Sequence, residues 1–419
     1  MTKGMDMRQK MRPPFSDIQG GLFSRVDKAD VGDAADAVLA AGGDMLAWAD
    51  PFMPDDCMPD TIKDIAMERV MSGAAAHYTH PIGDLALKQA IARKLKRDNA
   101  LDMDPRRNIL VTPGSDSGLL FAMMPFIGAG DEVLVPDPSY PSNFLNPALL
   151  SGRAVSVMLD ENDGFRLTRT ALQKALTPRT KMLLITSPNN PTGTVFSRAE
   201  MEMAAEFVLK NDLVAVVDQA FEDFIYDKRE MVTLASLPGM RERTVTVFSS
   251  SKGMALSGAR IGYIAADDSV MDVLYGCAVN VIGAANSVFQ PAVVWALDHP
   301  DFMAEYEELF DERRKRVFDL LSGITGVQPV MPQSGFLMWV DVSGLGTASE
   351  ISAYLAREAL VLVNSGDAYG KQGRGHIRIV FGCFKDARRV YAAMQRVREA
   401  LIRYPKGGQP GMGQEGNPA

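Results

Sequence analysis

The sequence predicts an α/β protein, a mostly parallel sheet with helices on both faces, followed by a smaller α+β domain. Two observations carry this reading. Between Asn108 and Val247 short apolar runs alternate with amphipathic stretches, which is the rhythm of strand, helix, strand units that build a parallel sheet. Past residue 300 that rhythm gives way to one long charged helical stretch and then to closely spaced strands. A chain of 419 residues is long enough for two or three domains, and its 47% hydrophobic and 23% charged content is that of an ordinary globular protein.

In chain order, residues 1–45 read as an arm followed by a helix over 31–41 that Gly42-Gly43 ends. A short strand within 45–51 is stopped by a proline-rich loop that runs to Pro59. Helices are expected over 61–72 and 84–97, the second with Leu87, Ala90, Ile91 and Leu95 at helical spacing. Tyr78 falls in the linker between them, where it suits a packing tyrosine. The alternating region then gives strands at 108–112, 132–136, 154–158, 181–186, 213–217 and 244–247, with helices from the turn at 113–118 to residue 127 and over 168–176 and 198–210. In the C-terminal part a helix over 301–322 leads to strands at 336–342, 360–364 and 376–381, with helices over 349–359 and 385–403. The organisation that follows is an arm and part of the small domain in 1–60, a large domain in 61–300, the small domain in 301–405 and a Gly- and Pro-rich flexible tail from 406 to 419.

Functional residues of a parallel sheet gather at the carboxyl ends of its strands. Five candidates fall on that edge. The turn Pro113-Gly114-Ser115-Asp116-Ser117-Gly118 opens a helix and presents free N–H groups suited to an anion. Tyr140, between Pro138 and Pro141, suits stacking on a flat ring and equally suits a turn. Asn190 lies in Ser187-Pro188-Asn189-Asn190-Pro191-Thr192-Gly193, and Asp218 ends an all-apolar strand as a site carboxylate or a turn former. Lys252 follows Phe248-Ser249-Ser250-Ser251, with Arg260 eight positions on. An amine in a desolvated pocket loses its proton and attacks carbonyl carbon, while hydroxyls and an arginine suit a phosphate. Lysine beside a phosphate cradle is what pyridoxal phosphate needs. Arg378, inside the apolar strand Ile377-Arg378-Ile379-Val380, requires an anionic partner, either structural or a ligand.

Composition excludes other classes. The net charge is −8 and the lysines and arginines are scattered, against a nucleic-acid surface. Cys57, Cys277 and Cys383 lie far apart without CxxC spacing, against a disulfide framework or zinc site and in keeping with a reducing cytoplasm. There is no HExxH, so no metal is expected. No signal-peptide core or bilayer-length apolar run is present, so neither export nor membrane insertion is expected. The 25 methionines fall within apolar segments as core filling.

Taken together, Asn189-Asn190-Pro191-Thr192-Gly193, Asp218, the Ser-x-x-Lys of Ser249 to Lys252 and the Gly-x-Arg-x-Gly of Gly258 to Gly262 resemble the fold-type I pyridoxal-phosphate enzymes. Within these the chain resembles the class I/II aminotransferases, over about residues 45–403. The resemblance implies a seven-stranded sheet in a large cofactor-binding domain. It implies pyridoxal 5′-phosphate, an L-amino acid and a 2-oxo acid as substrates, and a homodimer with the site at the subunit interface. Lys252 would hold the cofactor aldehyde as a Schiff base and move the substrate proton, and Asp218 would keep the ring nitrogen protonated. Asn190 would bond the ring hydroxyl oxygen, Tyr140 would stack on the ring, and Asn143 would support the aspartate. Ser115, Asp116 mainly through its backbone, Ser249, Ser251 and Arg260 would hold the phosphate, with Tyr78 reaching it from the partner subunit. Arg378 would bind the substrate α-carboxylate, close to Asn190 and to Trp48 and Ala49 of the substrate loop.

Three departures from the family pattern stand out. Phe221 replaces the usual tyrosine three residues after the aspartate, which removes a donor to the ring oxygen and is expected to raise the pKa of the lysine imine. Trp48-Ala49-Asp50-Pro51 replaces the usual Gly-x-Pro and brings a bulky aromatic beside the substrate, and no arginine near 280–290 meets a second carboxylate. The expected reaction is therefore transamination, with a lyase, cyclase or oxidase on the same scaffold as the alternative. A regulator that only binds the cofactor ranks last, because residues 1–45 are too short and too mixed in charge for a DNA-binding module.

Overall fold

The computed structural model describes residues 11–13 and 33–405. Most of the expected arm, the first residues of the 31–41 helix and the tail lie outside the described residues. The strands in chain order are β1 (Asp44–Met45), β2 (Ile109–Thr112), β3 (Glu132–Asp137), β4 (Arg153–Met158), β5 (Thr180–Thr186), β6 (Val214–Asp218), β7 (Thr244–Ser249), β8 (Gly262–Ala265), β9 (Gln328–Val330), β10 (Leu337–Asp341), β11 (Val361–Leu362), β12 (Asn364–Ser365) and β13 (His376–Val380).

Seven of them form one sheet in the order β2-β8-β7-β6-β5-β3-β4. Every pair in it is parallel except those of β8, which runs antiparallel to both β2 and β7. Along β5 the side chains alternate, Leu183 and Ile185 entering one core with Phe207 and Val217, Met182 and Leu184 entering the other with Val216 and Val245. Burial on both faces is why these strands read as continuous apolar runs. Each fully buried leucine or isoleucine contributes about 1.5–3 kcal/mol.

The helices follow local signals. Ser197 accepts from the Glu200 N–H while the Glu200 carboxylate accepts from Ser197, a capping box that starts the helix Arg198–Lys210 where expected. The helix Leu85–Asp98 buries the four predicted apolar positions completely.

Beyond residue 300 the helix Phe302–Leu321 leads to an antiparallel sheet in the order β12-β13-β10-β9. Its buried Arg313 donates to the carbonyls of Cys383 (2.7 Å) and Phe384 (2.9 Å), tying the helix to the segment after β13. The expected strand over 360–364 is two pieces, because β11 pairs in parallel with β1 and β12 pairs with β13. Leu46 and Phe52 share one core with Phe310, Val340 and Leu401, so the N-terminal segment packs with the C-terminal one. The helices Pro141–Leu149, Asp268–Val281 and Gln290–Asp298, and the strands β8 and β9, were not expected from the sequence. Among the described residues no helix is long and apolar enough to cross a membrane.

Candidate active site

A cavity of about 250 Å³ opens at the carboxyl edge of the seven-stranded sheet. Register explains why its residues meet. Thr186 pairs with Asp218 and Asp218 with Val247, so the ends of β5, β6 and β7 lie side by side. Gly262, the first residue of the antiparallel β8, pairs with both Thr112 and Ser249, so the chain enters β8 from this rim and leaves Arg260 there.

Lys252 lines the cavity and donates to the carbonyl of Ala49. Burial depresses its amine to about 8, the carboxylates of Asp50 and Asp116 pull it back up, and the guanidiniums of Arg378 and Arg260 push it further down. Asp218 lines the same cavity. Burial raises its carboxyl to about 7, the nearby Asp116 adds to the rise, and the Ala220 N–H and Thr186 hydroxyl oppose it. No ion pair reaches Asp218 among the described residues, so a cation placed against it would recover charge stabilisation that burial withholds.

The support expected of Asn143 runs through a threonine. Its amide nitrogen donates to Thr186 Oγ1 (2.7 Å) and Ser139 Oγ (2.9 Å), and Thr186 in turn donates to Asp218 (3.4 Å). Asn143 Oδ1 is buried without a partner.

At the phosphate end, the helix Ser115–Met123 starts without a side-chain cap, leaving its first N–H groups for a ligand. Arg260, at φ 50, lays its guanidinium against Gly114, where a Cβ would stand 2.2 Å from NH2. Gly262 is equally constrained, since a Cβ there would come within 2.7 Å of the Ser115 nitrogen. Bare backbone is thus what lets a guanidinium, a helix N-terminus and the Ser251 and Ser257 side chains share one end of the cavity. With an electrophile-ready amine, a buried carboxyl and this anion cradle, the residues fit a phosphorylated pyridine aldehyde.

Arg378 comes from the middle strand of the small sheet, in register with Trp339 and Asn364. It is buried and held only by neutral oxygens: Asn364 Oδ1 (2.6 and 3.1 Å), Asn190 Oδ1 (3.1 Å) and the Ala47 carbonyl (2.9 Å), with its face over the Tyr369 ring. Four hydrogen bonds to three neutral acceptors orient the fork and leave its charge for a carboxylate.

The cavity therefore brings together Trp48, Ala49, Ser115, Asp116, Tyr140, Asn190, Asp218, Ser251, Lys252, Arg260 and Arg378. Two expected residues do not line it. Ser249 uses its hydroxyl to accept the Ser251 N–H (3.1 Å), and Tyr78 is 98% exposed. Phe221 lines the cavity with its ring 5.8 Å from the Lys252 amine and packs on Phe336. Sequence reasoning did not assign Asp50, Ser257, Asn364 or Tyr369. Only Asp50 carried a signal, as the acidic member of the altered substrate loop.

The family model described as aminotransferase class I and II matches residues 44–397. An aromatic-amino-acid aminotransferase of Thermococcus litoralis is 33% identical over 84% of this chain and 89% of its own length. An aspartate aminotransferase of Pyrococcus abyssi is 34% identical over the same shares. The crystal structure of an aromatic aminotransferase from Pyrococcus horikoshii superimposes with a TM-score of 0.81 at 33% identity, covering 88% of this chain and 98% of that one.

Proposed function

Because the chain belongs to the class I and II aminotransferases, we propose that its cavity binds pyridoxal 5′-phosphate and that Lys252, Asp218 and Arg378 move an amino group from an L-amino acid to a 2-oxo acid. It is an enzyme that transfers amino groups. The observation that carries the assignment of residues is the meeting, in one cavity, of a depressed lysine amine, a buried carboxyl without an ion-pair partner and two arginines.

When bound, the cofactor supplies an aldehyde that combines with amines and a ring that accepts electrons from the carbon losing its proton. Everything else is the chain's part. Lys252, with its amine near 8, would hold the cofactor through its aldehyde and, once the substrate amine displaces it, its freed amine would take the substrate Cα proton and return one. Asp218 would hold the proton at the ring nitrogen. Asn190 would donate through its amide nitrogen to the ring oxygen, a bond Phe221 cannot duplicate, and Tyr140 would pack on the ring. Arg260 and the helix N-terminus, with Ser115, Asp116 and Ser251, bind the phosphate; Ser249 positions Ser251 through its N–H. Arg378 fixes the α-carboxylate and so decides which Cα bond faces Lys252.

We also assign the described part of residues 1–60 with 301–405 to a small domain and 61–300 to a large one, which two cores formed wholly within 62–297 and the packing of Leu46 and Phe52 with Phe310, Val340 and Leu401 support. A homodimer is supported by Tyr78 at 98% exposure beside Met67, Val70 and Met71, each more than half exposed on or next to the helix Asp60–Met71. In that dimer Tyr78 reaches the partner's phosphate. Three unpaired cysteines support a cytoplasmic setting.

The test is a half-reaction on the purified protein loaded with pyridoxal 5′-phosphate. An L-amino acid should convert the absorbance of the aldehyde form to that of the amine form, and a 2-oxo acid should restore it. Release of ammonia or hydrogen peroxide without that cycle would favour a lyase or oxidase and overturn transamination.

A further inference from the structure

Resting on the assignment of this cavity to a phosphorylated cofactor and an amino acid, we propose that Asp50, with Trp48 beside it, selects amino donors whose side chain ends in a cation, an amine or a guanidinium.

Among the described residues six charged side chains line the cavity wall. Its cations are Lys252, Arg260 and Arg378, and each is taken: by the aldehyde, the phosphate and the α-carboxylate. Among the described residues no further lysine or arginine lines the wall, and residues 280–290 contain none. A substrate with a second carboxylate would therefore meet no cation from the described part of this chain. Its carboxylates are Asp218, Asp116 and Asp50. Asp218 is matched to the ring nitrogen. Asp116 sits in the first turn of the helix Ser115–Met123, where the macrodipole accommodates negative charge. Asp50 lies at no helix terminus, and the cation that acts on it is the Lys252 amine, which the proposed cofactor aldehyde would occupy. Among the described residues no hydrogen bond or ion pair reaches its carboxylate, although it is half-buried in the wall.

A half-buried carboxylate with no partner is matched by a ligand cation, and a ligand anion there would add like-charge repulsion. Asp50 is the foremost carboxylate acting on the Lys252 amine, so it stands at the reacting end of the cavity and not at a remote rim. Trp48, two residues before it and 38% exposed, lines the same wall and offers an indole face, the ring that holds cations best. Sequence, charge and shape thus agree on one substrate class.

The test separates binding from chemistry by using acids that carry no primary amine and so cannot condense with the aldehyde. Valerate, δ-guanidinovalerate, γ-guanidinobutyrate and glutarate are titrated by calorimetry into the protein loaded with pyridoxal 5′-phosphate. The cationic acids should bind about tenfold tighter than valerate, as expected for one charge-assisted hydrogen bond, and glutarate should bind no better than valerate. In Asp50→Asn the preference of γ-guanidinobutyrate over valerate should fall toward one, and the kcat/KM ratio of L-arginine to L-norvaline should fall about tenfold with it. Glutarate binding as tightly as γ-guanidinobutyrate in the wild-type protein would overturn the proposal, and that comparison decides even where the variant does not fold. A preference left intact in Asp50→Asn would overturn it too. Binding of none of the four acids, with no amino acid altering the cofactor absorbance, would overturn the underlying reading of the cavity and the proposal with it.

Discussion

Replacing Arg378 by lysine keeps the positive charge and removes the fork, so it isolates what geometry contributes to substrate binding. The guanidinium is oriented by Asn364, Asn190 and the Ala47 carbonyl, all neutral, and its charge is unspent within the chain. A bidentate pair with a carboxylate comprises two charge-assisted hydrogen bonds, each worth about 1.5–3 kcal/mol. Lysine makes one of them as a point charge, so Arg378→Lys forfeits about 1.5–3 kcal/mol of transition-state binding. At about 1.4 kcal/mol per decade that is a ten- to hundredfold loss in kcat/KM. The variant also leaves Asn364 Oδ1 with fewer donors, which affects every substrate alike. The assay is therefore a ratio: kcat/KM for an L-amino acid over that for the primary amine with the same side chain and no carboxylate. The amine never engages the fork, so the ratio should fall ten- to hundredfold. An equal loss for both compounds, or none for the amino acid, would refute the assignment of Arg378 to the carboxylate.

Other perturbations test the remaining parts of the site. Gly114→Ala places a methyl where Arg260 NH2 now lies, 2.2 Å from the Cβ position and at φ +83, so cofactor affinity should fall at least about tenfold in a dialysis titration. At Gly253 a Cβ would stand 2.0 Å from Asp223 Oδ2, so Gly253→Ala should shift the Lys252 loop and lower stability by about 1–3 kcal/mol in a denaturant titration. Asp223→Ala in the same chain should restore part of both stability and turnover; no recovery would mean that the contact is not the cause. Capture of the cofactor by the apoprotein needs the neutral amine of Lys252, so its rate should rise with pH and level off above about 8. Arg378→Gln removes a charge that depresses this amine and should move that midpoint upward.

What the sequence disclosed was local chemistry at strand ends. Asn190, Asp218 and Lys252 each follow an apolar strand within a short motif, and parallel pairing alone carries three such ends to one rim. Asp50, Asn364 and Tyr369 reach the same cavity from outside the large sheet, and no local pattern encodes that approach. Strand β8 escaped notice because Gly262–Ala265 is four residues long and follows a Gly- and Ser-rich loop, so its period is too short to read. The helix Pro141–Leu149 was hidden by its prolines. Pro141 at the first position is compatible with a helix, but Pro147 inside it argues against one, and packing on β4 prevails. The split of residues 361–365 between two sheets has the same origin, since one apolar run can serve two partners that only the tertiary fold supplies.

One amide joins the two halves of the site. Asn190 accepts the Arg378 N–H through Oδ1, which leaves its two amide hydrogens as the donors it has to offer elsewhere. The motif on the large sheet is thereby oriented by an arginine from the small sheet, more than 180 residues away in the chain. Of the two positions that the family pattern gives to the ring oxygen, Asn190 and residue 221, only Asn190 carries a donor here, because residue 221 is phenylalanine. With the roles proposed for Asn190 and Arg378, substrate recognition and cofactor recognition are then coupled through a single side chain. A change at Arg378 releases the Asn190 amide as well as the substrate carboxylate. For that reason the comparison with a carboxylate-free amine, and not the raw loss of rate, measures what the guanidinium fork contributes.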